Sequence, residues 1–331
     1  MVDQPQPTRV IIRSMTEFLL QAVRAAGRPH DGDMIRTVVF ATIQTANLNA
    51  RAFGGGDAGP PPELQALLDG QLRPVSVNAI AKSFGIPYET TRRAAATLID
   101  RGFCRRVSGG LIAPMAALNR PELRAVAEDV SDALGATLGR LGGIGFDFDQ
   151  LAFMADGAAP APPDRPPSTW QVHWAAVDFL LRTTEALLPI WNDLSSSFVF
   201  AGAMSANARA ITYDPEQAWA YAGMDAPPPD AARHPISVRA LAQELGMPFE
   251  TVRRHVNRLV RDGGLDRRDG GVLVPMAFMQ GEVFHRLTPM IALRFTRMVV
   301  DLKRAGYVFP PAQPLGPMAA RGAPAAVMRD G

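Results

Sequence analysis

One stretch of this chain is written twice, so any fold it adopts must house the same local pattern at two places. The segment Arg73 to Leu118, RPVSVNAIAKSFGIPYETTRRAAATLIDRGFCRRVSGGLIAPMAAL, aligns without a gap on His234 to Met279, HPISVRALAQELGMPFETVRRHVNRLVRDGGLDRRDGGVLVPMAFM, at an offset of 161 residues, with 19 of 46 positions identical. Most other pairs exchange like for like, as in Val75 with Ile236, Ile80 with Leu241 and Ile86 with Met247. Fainter likeness continues outward, from Glu17-Phe18-Leu19-Leu20 against Asp178-Phe179-Leu180-Leu181 to Gly145-Phe146 against Gly306-Tyr307. The repeated unit therefore covers about 9–148 and 170–309. We expect one domain at 1–150 and a second at 169–310, joined by a Pro/Ala-rich linker at 151–168 and followed by a disordered tail at 311–331.

Helical spacing of apolar residues marks 9–27, 33–52 and 120–142 in the first copy, and 169–188, 191–210 and 278–305 in the second. Ala/Gly/Pro-rich connectors stand at 54–62 and 223–230. The fold class read from this is mainly α, with one short β element in the middle of each copy.

The repeated motif itself is finely punctuated. Ser76 and Ser237 are placed to cap short helices, Val77 to Ser83 and Val238 to Glu244. Gly85 and Gly246 then supply the positive φ of a tight turn, and Pro87 and Pro248 open a second helix where a missing N–H costs little. Ala81 and Ala242 are small enough to let the two helices approach, and Thr91 and Val252 face inward. The second helix ends at Gly102 and Gly263, and Gly109-Gly110 and Gly270-Gly271 each turn two short strands into a hairpin. Helix, turn, helix, hairpin is the order of a winged helix-turn-helix, spanning 73–118 and 234–279.

With those residues in place, the chain resembles the winged helix-turn-helix of bacterial transcription regulators. Met247-Pro248-Phe249-Glu250-Thr251-Val252-Arg253-Arg254 is similar to the start of the recognition helix in the cyclic-AMP receptor family, whose pattern is Ser-Arg-Glu-Thr-Val-x-Arg, and the motif also resembles the GntR and MarR regulators. No β-roll precedes either copy, so cyclic-nucleotide sensing is not carried over. The resemblance implies base-edge contacts from Glu250 and Arg254 and a phosphate contact from Thr251, and in the first copy from Glu89, Arg93 and Thr90. Arginine can fork onto guanine and glutamate can accept from cytosine, so the chemistry is coherent on its own terms. Where the family places an arginine before the glutamate, this chain has Tyr88 and Phe249, so that contact becomes apolar or is lost. Arg92, Arg253 and Asn257 on the same helices, and Arg105, Arg106, Arg267 and Arg268 on the wings, complete the expected DNA-contacting set. The flanking helices resemble the dimerising helices of MarR-type proteins, which implies a single chain imitating a dimer.

The charge of the whole chain is only +2, but it is unevenly placed: residues 73–118 carry +5 and 234–279 carry +2, leaving −5 for the rest. Of 34 cations all but Lys82 and Lys303 are arginine. Concentrated positive charge on the motifs fits a phosphate backbone. The second wing differs from the first in carrying Asp266 and Asp269 around Arg267-Arg268.

Other chemistry finds little support. The single cysteine, Cys104, pairs in the repeat with Leu265 and so reads as a buried strand position. The five histidines lie scattered without ligand spacing, so no metal or cofactor is expected. No nucleophile, base and acid stand together, so an enzyme is not expected. The glycine run at 139–145 follows a helix where a nucleotide-binding loop needs a strand. No apolar run is long enough for a membrane span and no leader is evident, so a cytoplasmic protein is expected. The reading is a sequence-specific, double-stranded-DNA-binding transcriptional regulator whose two winged helices address a pseudo-palindromic site. Its alternatives are a plasmid-type replication initiator and a winged-helix assembly module that binds protein instead of DNA. A small-molecule effector and pairing into a homodimer are both left open.

Overall fold

A computed structural model describes residues 7–47, 69–157 and 165–314, and is mainly helical with short antiparallel strand pairs. In chain order the elements are α1 (Thr8–Gly27), α2 (Met34–Asn47), α3 (Val77–Ser83), α4 (Tyr88–Asp100), β1 (Arg105–Val107), β2 (Gly110–Ile112), α5 (Met115–Leu118), α6 (Pro121–Gly143) and α7 (Phe148–Asp156). The second copy follows with α8 (Thr169–Trp191), α9 (Leu194–Thr212), α10 (Pro215–Ala220), α11 (Val238–Leu245), α12 (Phe249–Arg261), β3 (Asp266–Arg268), β4 (Gly271–Leu273), α13 (Met276–Met279) and α14 (Glu282–Arg304). Short 3-10 turns stand at Arg28–His30 and Asp230–Ala232. No described helix is long and apolar enough to cross a membrane.

The described residues form two compact units that do not follow the boundary between the sequence copies. The first unit holds the first motif, with residues 21–47, 69–133 and 165–194; the second holds the second motif, with 7–20, 134–157 and 195–314. Each motif is therefore completed by a leading helix encoded in the other copy. In the first unit α8 packs on α2 and sets Trp170 and Trp174 into a core of Val39, Phe40, Ile43, Leu98, Leu118 and Leu123. In the second unit the start of α1 brings Val10, Ile11 and Phe18 to full burial.

The local logic of the motif is the same in both units. Ser76 and Ser237 accept from the amides of Ala79 and Ala240, each at 3.1 Å, capping α3 and α11. Gly85 and Gly246 turn the chain at φ 57° and 63°. Ala81 and Ala242 are buried on the first helix of each motif, and Thr91 and Val252 are buried on the second. The hairpin is joined to the chain ahead of α3 by a bridge, Val75 to Leu111 in one unit and Ile236 to Val272 in the other. This bridge explains the second glycine of each turn, because a Cβ on Gly110 or Gly271 would collide with the carbonyl of Val75 or Ile236.

Several elements were not expected. Residues 151–156, read as the start of the linker, are the end of α7, and Asp156 there pairs with Arg304 of α14. Ser168, at the end of the same segment, caps α8 through a reciprocal bond pair with Gln171. Of the expected tail, Gln313 donates its amide to the carbonyl of Gly142, while 315–331 lie outside the described residues. The connector at 54–62 also lies outside them, as do 158–164 of the linker.

Candidate nucleic-acid interface

The second helix of each motif is strongly two-faced. In α4 the buried stripe is Thr91, Ala94, Ala95 and Leu98, and in α12 it is Val252, Val256 and Leu259. These i, i+3/i+4, i+7 positions turn the remaining face outward. The exposed face of α4 presents Tyr88, Glu89, Arg92 and Arg93, with Thr90 half-buried beside them; that of α12 presents Phe249, Glu250, Arg253 and Arg254, with Thr251 and Asn257 half-buried. All eleven expected helix residues thus lie on the exposed or half-buried side of their helix.

The carboxylates on this face are not idle. Glu89 accepts two bonds from Arg92, at 2.7 and 2.8 Å, and lies 3.4 Å from Arg93. The Arg92 guanidinium bonded to it holds the Glu89 carboxyl below its usual range. Glu250 is engaged by Arg253 at 2.8 Å, which raises the arginine's own pKa. Such ion pairs, one turn long and open to water, contribute little stability and exchange readily for other partners.

The two hairpins differ. In the first, Arg105 lies 3.5 Å from Asp69, and Arg106 is exposed. In the second, Arg268 is held by Asp266 at 2.8 Å and Asp230 at 3.3 Å, and Arg267 donates to the Asn257 side-chain oxygen at 2.6 Å. The second hairpin is thus tied to the neighbouring helix through Asn257, and its Arg268 is paired with Asp266 and Asp230. Asn257, expected as a DNA contact, has its side-chain oxygen occupied in that tie.

Two residue pairs that hold this surface together were missed in the sequence. Asp69 and Asp230 each accept the first amide of the short helix after the hairpin, from Met115 at 2.8 Å and Met276 at 2.9 Å, while reaching a hairpin arginine with the other oxygen. Asn47 and Asn207 lock the end of the preceding helix to the hairpin from behind. The signal was their equivalence in the repeat, 69 to 230 and 47 to 207. Arg258 and Arg261 were also passed over. With Arg254 they form an i, i+4, i+7 series bordering an open concavity of about 650 Å³ along α12. His255, on the same helix, is half-buried and bonded to Ser196 at 2.9 Å. Cys104 is buried, and burial pushes its thiol up to about 12, which suits a packing residue.

No protein-family model matches the chain, and neither a curated protein nor a solved structure matches it.

Proposed function

We propose that each helix, turn, helix and hairpin is a winged helix, and that the chain is a sequence-specific DNA-binding regulator of transcription reading a two-part, pseudo-palindromic site with α4 and α12. The observation that carries this is the recurrence, in both motifs, of a Glu-Thr-x-Arg-Arg run whose glutamate and two arginines are exposed, opposite a buried, largely apolar stripe and beside an arginine-bearing hairpin. In this reading α4 and α12 enter the major groove, Arg93 and Arg254 fork onto guanine, and Glu89 and Glu250 exchange their arginine partners for cytosine amino groups. Thr90, Thr251 and the wing arginines take phosphates.

Enrichment of bound duplexes from random DNA tests the reading and supplies a preferred site. On that site Arg93→Ala and Arg254→Ala should each cost about 1–3 kcal/mol and relax base choice locally. Equal binding of the wild type and the double variant would refute the assignment.

One observation favours a protein partner instead. Tyr88 and Phe249 stand at equivalent positions with 54% and 44% of their surface exposed, and paired exposed aromatics suit an assembly module. On DNA the same rings meet thymine methyls or sugar. A chain that enriches no sequence and ignores salt in DNA titrations belongs to the assembly reading.

A further inference from the structure

The two motifs share a framework but place their charge differently. Helix α12 carries Arg253, Arg254, Arg258 and Arg261 against Glu250, a net charge of +3 with His255 neutral. Helix α4 carries Arg92 and Arg93 against Glu89 and Asp100 and is neutral. The hairpins run the other way. The first, at 105–112, holds Arg105 and Arg106 and no acid, whereas the second, at 266–273, sets Asp266 and Asp269 against Arg267 and Arg268.

The extra charge of α12 has a definite position. Arg254, Arg258 and Arg261 each follow a buried residue, Val252, Val256 and Leu259, by two places. Two residues make about 200° of helix, so the three arginines form one ridge on the side away from the core. Arg254 and Arg261 are exposed and Arg258 is half-buried, and all three border the concavity of about 650 Å³ along α12. Arg258 lies 3.6 Å from Asp262, an open pair that water screens and a phosphate can displace. The rise of the helix spreads Arg254 to Arg261 over about 10 Å. A row of forked donors that long suits successive phosphates of one strand better than a single small anion.

The duplication shows that the fold does not require this row. Arg258 and Arg261 align with Thr97 and Asp100. Cations in the last turn favour a helix through its dipole, yet α4 has none there and ends on an acid.

We propose, resting on the DNA-binding reading of α4 and α12, that the two units grip the DNA backbone with different elements: the first with Arg105 and Arg106 of its hairpin, the second with Arg258 and Arg261 of α12. Arg254 keeps its base, and the two arginines beyond it follow the phosphates of one strand. Arg268, paired with Asp266 and Asp230, adds little to the hold.

The test is fluorescence anisotropy of the full chain on one random duplex at several salt concentrations. Each phosphate contact contributes about 0.9 to the steepness of log affinity against log salt, so Arg258→Gln with Arg261→Gln should reduce that steepness by about 1.8, and each single substitution by about half of this. Across a fourfold rise in salt the wild type should then lose about 12-fold more affinity than the double variant. Arg258→Lys with Arg261→Lys should keep the wild-type steepness, since lysine still meets a phosphate as a point charge. Arg286→Gln with Arg297→Gln removes the same charge from the exposed face of α14 and should change the steepness by less than ~0.5. Unchanged steepness in the α12 glutamine variants overturns this anchoring and leaves DNA binding intact, as does an equal flattening by the α14 pair. A wild type that binds no duplex at any salt concentration overturns the DNA-binding reading itself, and the anchoring with it.

Discussion

Asn47 and Asn207 carry more of the motif than any exposed residue. Asn47 donates to the carbonyls of Arg73 and Leu111 at 2.7 and 3.2 Å and accepts from the Ala113 amide at 2.7 Å. Asn207 repeats this with His234, Val272 and Val274 at 2.8, 3.1 and 2.9 Å. Asn47→Ala or Asn207→Ala leaves buried backbone groups unpaired and should lower stability in urea by about 2–4 kcal/mol. Asn→Asp should cost as much, because a carboxylate cannot donate. Losses under ~0.5 kcal/mol would show that water replaces the side chain. Two histidines set a pH dependence. His30, between the rings of Phe40 and Phe103, and His173, beside Trp170 and Trp174, are each lowered by burial from 6.5 to about 4. Both fold neutral, so the unfolded chain takes up their protons first. Stability is therefore full above pH 6.5 and falls as pH drops toward 4. A denaturation series across that window should show the slope, and His30→Leu with His173→Leu should flatten it. An unchanged slope in the double variant would assign the acid sensitivity to carboxylates instead. Sequence could not reveal either role, because an asparagine or histidine reads as surface until the helix face that buries it is known.

Among elements, the turns and hairpins were legible and the helix faces only partly so. Ser76, Gly85 and Gly109 each answer a backbone demand made by immediate neighbours in the chain, so local chemistry sufficed to place them. Two helices slipped through despite carrying start signals: Asp147 caps α7, and Asp214 followed by Pro215 opens α10. Arg9 and Arg13 are charged positions on an apolar helix, and the structure turns both inward. The hairpins carry a prediction that presupposes DNA binding. Arg106 stands exposed, whereas Arg268 is engaged by Asp266 and Asp230. Arg106→Ala should reduce the steepness of log affinity against log salt by about 0.9, the share of one phosphate, and Arg268→Ala should change it far less. Anisotropy titrations of the intact chain on a random duplex at several salt concentrations give both slopes. Equal effects would mean that the second wing releases its acids on binding.

At the scale of the whole molecule, the repeat in the sequence and the unit in space are different objects. The first motif needs α8 from the second copy, and the second motif needs residues 8–20 and 134–157 from the first. Periodicity cannot show this, since both leading helices carry an apolar stripe that fits either motif. Cutting the chain within 158–164 therefore leaves each half without part of a core. Separately produced halves should unfold without a cooperative transition, and co-produced halves should recover a one-to-one complex with the Tm of the intact chain. A half that melts cooperatively alone at that temperature would show that the borrowed helix is dispensable. The same borrowing sets a schedule for synthesis. A polypeptide leaves the ribosome from its N-terminus, and Ala133 precedes Trp191, the last residue of α8, by 58 residues. At about 5–20 residues per second the first unit waits roughly 3–12 s for the helix that covers Val39, Phe40 and Ile43. For that interval the nascent chain shows an oily groove to whatever passes. Translation pauses between 134 and 191 lengthen the exposure, making codon choice in that stretch a determinant of yield that the finished fold no longer displays.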